Sequence, residues 1–178
     1  MNTIIHKGSK LKIKKKTFLV YCSENQTKLS QAIYAKAASL LDTDKGFFIS
    51  SHRSQGEQLS LVCAAHEGID SDKYLHNKLL KSDLERLNQA MIRYFGAMEP
   101  AIPPQIRREY AYEDISVYAP YIDYAFIEFI DVNTEEDIAF LKELQRLSKE
   151  LSIRIEVGVR CIETWREKIS NFATLSGV

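Results

Sequence analysis

A chain of 178 residues with 45% apolar and 10% aromatic content can bury one sizeable core without disulfide or metal staples. Charged residues make up 27% and the formal net charge is zero, which excludes a disordered tail and a bulk polycation. The signs are unevenly spread, with 15 Lys and Arg against 10 Asp and Glu through Glu99, then 9 against 14 beyond it. Such a dipolar chain suits docking onto a second copy, or meeting a polyanion with one end; the plainer alternative is that the signs mix over the folded surface.

The N-terminus, MNTIIHKGSKLKIKKK, is basic but lacks the apolar stretch and small-residue cleavage site of a secretory signal. No apolar run approaches the ~20 residues that span a bilayer. Cys22, Cys63 and Cys161 are far apart and odd in number, so no disulfide framework is expected and a reducing, cytoplasmic setting is. Lys10, Lys12, Lys14, Lys15 and Lys16, with Lys7 before them, form one dense basic run. Lysines in that density suit phosphate contacts and hence nucleic-acid binding without sequence readout; a solvated strand that protects a sheet edge is the alternative.

The first expected strand ends in Thr17-Phe-Leu-Val-Tyr-Cys22, apolar enough to be buried on both faces. Ser23-Glu-Asn-Gln26 has the form of a capping box, and a helix with Leu29, Ile33, Ala37 and Leu40 on one stripe should run to about Leu41. After the turn Asp42–Gly46, the stretch from Gly46 to Gly68 reads as a hairpin, with strands at Phe47-Phe-Ile-Ser-Ser and Leu59-Ser-Leu-Val-Cys-Ala. Ser71 and Asp72 open a helical region, Ser82-Asp-Leu-Glu85 marks a new start or a bend, and Leu84, Leu87, Met91 and Phe95 form a stripe closed by Gly96.

Pro100, Pro103 and Pro104 then interrupt the chain, so residues 97–104 are expected to be a linker. It either crosses one face of a single domain, residues 1–178, or joins two lobes, 1–96 and 105–178. A short strand near Ile115 is possible within a tyrosine-rich segment. The stretch from Tyr124 to Arg160 is the clearest in the chain. Tyr124–Asp131 reads as an interior strand, Asn133 or Thr134 caps a helix striped by Ile138, Leu141, Leu144, Leu147 and Leu151, and Ser152–Arg160 alternates as a second strand. A helix of that length between two strands fits a right-handed crossover that sets them parallel. The polar alternation Arg154, Glu156, Gly158, Arg160 predicts that the second strand is edge-like or lines a groove. A final amphipathic piece carries Ile162, Trp165 and Ile169. Together these elements predict a two-layer α/β sandwich with ferredoxin-like split βαβ order and a C-terminal α-β-α extension; the alternative is a three-layer mixed α/β sheet.

Glu128 and Glu156 fall mid-strand and Asp131 ends the first strand, so the three are the candidate catalytic carboxylates. If they converged they would suit Mg²⁺ and metal-assisted phosphodiester hydrolysis, although no Lys stands two residues beyond Glu156. The alternative pairs each with a basic neighbour. Cys63 and His66 have a zinc-like spacing with no second close pair, and a buried thiol with a histidine at a strand end is the simpler reading. Phe47 and Phe48 offer at most one ring for base stacking. Tyr110, Tyr112, Tyr118 and Tyr121 suit either an interface patch or core packing. No glycine-rich phosphate loop, Gly-x-Ser-x-Gly elbow or His-Glu-x-x-His motif is present. The expected role is a binding or regulatory module that self-associates or docks a protein partner, needing no cofactor. The alternative is a nucleic-acid-binding protein, with Mg²⁺ only if it is a nuclease; a small-molecule enzyme working beside Arg154 and Arg160 is a third class.

Overall fold

The computed structural model describes residues 18–42, 46–49, 53–94, 98–100 and 108–177. Among the described residues six strands form one sheet: β1 (Phe18–Ser23), β2 (Gly46–Ile49), β3 (Met98–Pro100), β4 (Tyr124–Asp131), β5 (Arg154–Arg160) and β6 (Thr174–Gly177). Their order is β3-β2-β4-β5-β1-β6 and every neighbouring pair is parallel. Seven helices are described: α1 (Gln26–Ala38), α2 (Gln55–His66), α3 (Ser71–Leu75), α4 (Lys81–Tyr94), α5 (Arg108–Tyr118), α6 (Glu135–Leu151) and α7 (Glu163–Ser170).

Helices cover both faces. Leu29, Ile33 and Ala37 of α1, Leu61 and Val62 of α2, and Leu87 and Ala90 of α4 pack with Tyr21, Tyr124 and Phe126 on one side of the sheet. Ile115 of α5, Ile138, Leu141, Leu144 and Leu147 of α6, and Ile169 of α7 pack with Val20, Ile127, Ile155 and Val157 on the other. The α/β sandwich expected from the sequence is therefore present, in its three-layer form. A parallel sheet demands this, because each crossover lays a helix on a face and both faces must be dry.

The β4-α6-β5 unit follows the sequence closely. Thr134 caps α6 by accepting from the Asp137 amide, and the buried Asp137 carboxylate accepts from the Asn133 and Thr134 amides at 2.7 and 2.8 Å. Elsewhere the structure corrects local readings. The cap of α1 is Asn25, whose Oδ1 accepts from the Lys28 amide, while Ser23 Oγ accepts from the Asn25 amide; the box at Ser23 lies two residues too early. Ile115 lies in α5, where it is fully buried, and not in a strand. Strand β3 sits within the expected linker, with Pro100 on the sheet's edge strand, where a missing N–H costs least. The last described element, β6, lies at one end of the strand order and was not expected from the sequence.

The largest correction concerns Gly46 to Gly68, which is strand β2 followed by helix α2 rather than a hairpin. Ser54 and Glu57 form a reciprocal capping box at the start of α2. Its end is a Schellman turn in which Gly68 takes φ +67° and the Ile69 amide bonds back to the Ala64 carbonyl. Leu61, Val62, Cys63 and Ala64 are all buried, because α2 packs between the sheet, α1 and α4 and so lacks a polar face. Gly56 stands in the first turn of α2 with no atom within 4 Å of an added Cβ. Replacing Gly56 with alanine is expected to stabilise the chain by about 0.5–1 kcal/mol, through lower backbone entropy in the unfolded state. A urea titration would show it as a higher midpoint with an unchanged slope.

Candidate functional site

All strands run the same way, so the turns β1-α1, β2-α2, β4-α6 and β5-α7 gather at one edge of the sheet. Strands β1 and β5 are neighbours, yet α1 packs on one face and α7 on the other. Strands β2 and β4 repeat the arrangement with α2 and α6. Helices leaving adjacent strands in opposite directions open a crevice between the strand ends, the usual place for a ligand in such sheets. Gln26, Asp131 and Arg160 meet at the β1/β5 strand ends, and Arg53 meets the buried Glu128 beside β2 and β4.

Glu128 is 1% exposed. It stands where the β4-β5 register slips between Ile127 and Ile130, a bulge that puts both isoleucines on the α6 side and leaves Glu128 facing α1. Its Oε1 accepts from Ser30 Oγ at 2.8 Å and from Arg53 Nε at 3.1 Å. Burial raises the Tyr34 hydroxyl well above its usual range, and the adjacent Glu128 charge adds to the effect. Burial works against the charge of Arg53, but Glu128 outweighs it and holds the guanidinium more firmly protonated. Beside this pair a small, partly open pocket of about 80 Å³ lies between α1, α2 and α3, lined by Gln26, Ser30, Tyr34, Arg53 and Asp72 among others. Small-molecule sites usually enclose roughly 300–1,000 Å³.

Glu156 lies on the same face, opposite Phe126 in the register, but has other partners. Its Oε2 accepts from Tyr21 Oη at 2.5 Å, and Arg154 Nε lies 3.5 Å from its Oε1. Strand β5 is thus interior rather than edge-like, and α1 covers its polar face, because the neighbouring strand supplies a phenol for the carboxyl. Burial raises the Glu156 carboxyl above the ordinary glutamate range, against the lowering effects of Tyr21 and Arg154. A raised carboxyl binds a proton more readily folded than unfolded, so its contribution to stability falls as pH rises through and above the ordinary glutamate value. Glu156→Gln keeps an acceptor for Tyr21 and removes the charge. It is expected to stabilise the chain by about 1 kcal/mol at neutral pH and to have little effect in acid, as paired thermal melts would show.

Asp131 pairs with Arg160 through two bonds, Nε to Oδ1 at 2.6 Å and Nη2 to Oδ2 at 2.7 Å, while Arg160 Nη1 reaches Gln26 Oε1 at 3.4 Å. The three candidate carboxylates therefore do not meet in one site: Glu128 goes to Arg53, Glu156 to Tyr21 and Arg154, and Asp131 to Arg160. Among the described residues no group of three or more His, Cys, Asp or Glu side chains is placed to hold a metal ion.

Cys63 and His66 both lie on α2. Cys63 is fully buried, and His66 contacts Asp42 at 3.2 Å, Glu67 at 3.3 Å and Tyr94 Oη at 3.1 Å, tying the ends of α1, α2 and α4 together. Of the tyrosines, Tyr112 and Tyr118 pack against the α6-side core, and Tyr112 accepts a hydrogen bond from Arg146, whose guanidinium carbon lies 5.8 Å from the ring centroid. Tyr121 is 72% exposed. The Tyr110 side chain, the phenylalanine pair at 47 and 48 as stacking rings, and the lysine run from Lys10 to Lys16 lie outside the described residues. Sequence reasoning missed Arg53, Ser30 and Tyr21, the groups that complete the buried polar pairs. No helix among the described residues is long and apolar enough to cross a membrane.

No family model and no curated protein sequence matches the chain. Solved structures do share its fold. One, described as an ATPase domain, superposes with a TM-score of 0.64 at 12% identity, covering 86% of this chain and 60% of its own. Another, a DnaB-like replicative helicase described with its interactions with primase, gives a TM-score of 0.64 at 11% identity, covering 87% of this chain and 41% of its own. At such identities the likeness is one of fold alone, and the chain spans less than two thirds of the length of either structure.

Proposed function

We propose that the chain is a binding and regulatory module on an ATPase-type frame, acting by self-association or by docking a protein partner rather than by hydrolysing a nucleotide. One observation carries this reading. At the carboxyl edge of the sheet the polar groups are committed to one another, with Asn25 on the Lys28 amide, Arg53 on Glu128 and Arg160 on Asp131. A phosphate site at a strand-to-helix turn needs open amides and unspent positive charge. The surface for association is the outer flank of α4 and the residue before it, where Leu80 is 65%, Leu84 46% and Ile92 80% exposed. Sedimentation velocity over a wide concentration range is expected to show mass increasing with concentration, and less so in Leu84→Asp. A strict monomer that also melts higher with rising Mg·ATP would overturn the reading.

A second reading, nucleic-acid binding through Lys10, Lys12, Lys14, Lys15 and Lys16, is favoured by the replicative-helicase likeness together with that basic run. It predicts single-strand binding that weakens with salt and drops about tenfold when Lys14, Lys15 and Lys16 are neutralised. Anisotropy that does not respond to salt would remove it. Mg²⁺-assisted cleavage has no comparable support, since Glu128, Asp131 and Glu156 point to separate partners.

A further inference from the structure

The pocket beside the Arg53–Glu128 pair carries charged groups that the fold leaves unspent. Glu128 takes only Nε of Arg53, and among the described residues Nη1 and Nη2 have no partner. Asp72, in the first turn of α3, lines the same pocket, and its exposed carboxylate has no partner among the described residues either. Gln26, Thr27, Ser30 and Gln31 of α1 add amides and hydroxyls to the wall. We propose that this pocket is a binding site for a small α-amino acid, with Arg53 holding its carboxylate and Asp72 its ammonium group.

Charge and size select that class. The Nη edge of a guanidinium can meet both oxygens of one carboxylate in a two-pronged contact. Glu128 already cancels the Arg53 charge and Asp72 adds a negative one, so a phosphate would meet more repulsion than attraction. A bare amine would satisfy Asp72 and leave the Nη donors to water. A zwitterion has no net charge and presents a pair of acceptors beside an ammonium group, which answers both. Leu61, buried in the lining, gives a short side chain an apolar contact. At about 80 Å³ the pocket admits only a handful of heavy atoms, which limits the ligand to the size of alanine or serine. So few contacts in a partly open pocket set a weak affinity, with Kd on the order of 1 mM. None of the lining residues belongs to α4, so binding here and association there are read separately.

The test is titration of the isotope-labelled full chain with L-alanine and L-serine, followed through its amide shifts by heteronuclear NMR. Saturating shifts are expected at Ser30, Arg53 and Asp72. Acetate and methylamine each carry half of the ligand, and each is expected to bind about tenfold more weakly for want of one charged contact. Asp72→Asn removes the partner of the ammonium group at an exposed position where folding is not at stake. Arg53→Lys keeps a positive charge beside Glu128 and removes the fork. Either variant is expected to weaken alanine binding about tenfold while its spectrum keeps the dispersion of a folded chain. No saturable shift with alanine or serine would overturn the proposal. So would acetate binding as tightly as alanine, which would make the pocket a site for anions only, or unchanged alanine binding in Asp72→Asn.

Discussion

Replacing Arg53 with alanine is expected to cost about 3 kcal/mol at neutral pH, close to the loss for breaking other buried ion pairs. The reason is the asymmetry of the pair. The Arg53 side chain is 21% exposed, whereas that of Glu128 is 2% exposed, so the carboxylate cannot turn to water when its partner is removed. Ser30 would remain 2.8 Å away, but a hydroxyl supplies no countercharge. The Arg53 carbonyl also accepts from Gln58 Nε2 at 2.9 Å, a backbone contact that alanine retains, so the change isolates the guanidinium. Glu128→Gln alone should cost about 1 kcal/mol, because Arg53 keeps access to solvent. The double variant should then be no worse than Arg53→Ala, with a coupling of about 1–2 kcal/mol in urea titrations. A loss below about 1 kcal/mol for Arg53→Ala, additive with Glu128→Gln, would make the pair an ordinary surface contact.

That pair also shows where the sequence was legible and where it was not. The unit from Tyr124 to Arg160 could be read because its signals are local: a box at Thr134 and Asp137, acidic residues in the first turn, and a leucine stripe ending before an alternating strand. Glu128 and Glu156 stood out for the same reason, as carboxylates inside apolar strands. Their partners did not, because Arg53 lies 75 residues and Tyr21 lies 135 residues away in the chain, and pairing over such separations is decided by strand order. Reading β5 as an edge followed from treating Arg154 and Glu156 as solvated; in a three-layer sheet the neighbouring strand can bury one of them.

Helix α2 is a different kind of miss. Ser54-Gln-Gly-Glu57 carried a legible capping signal, but Gly56 looked like a hairpin bend and Leu59, Leu61 and Cys63 mimicked strand alternation. Burial of consecutive residues erased the helical stripe that would have arbitrated. Once α2 is a helix, β2 has no hairpin partner and must pair in parallel, which converts the split βαβ order into the observed sheet. One local assignment thus changed the topology, and with it the edge of the sheet at which Arg53 meets Glu128.

Gly46→Ala is expected to be the second large effect, costing about 2 kcal/mol through overpacking. Gly46 opens β2 and faces Tyr124 across the β2-β4 pair. An added Cβ would lie 1.8 Å from one ring carbon of Tyr124 and 2.1 Å from another, far inside contact distance. The ring has little room to withdraw, since Tyr124 is 2% exposed and meets Phe126 edge-on with centroids 4.9 Å apart. The aromatic side chain therefore occupies the space that the missing Cβ leaves, and the strand pair depends on glycine for volume. For a chain of this size the loss corresponds to a Tm lower by roughly 4–8 °C. Tyr124→Leu should itself destabilise by leaving a cavity, yet in that background Gly46→Ala should cost much less, because the clashing ring atoms are gone. Equal costs in the two backgrounds would mean that backbone strain, and not the Tyr124 ring, sets the need for glycine at this position.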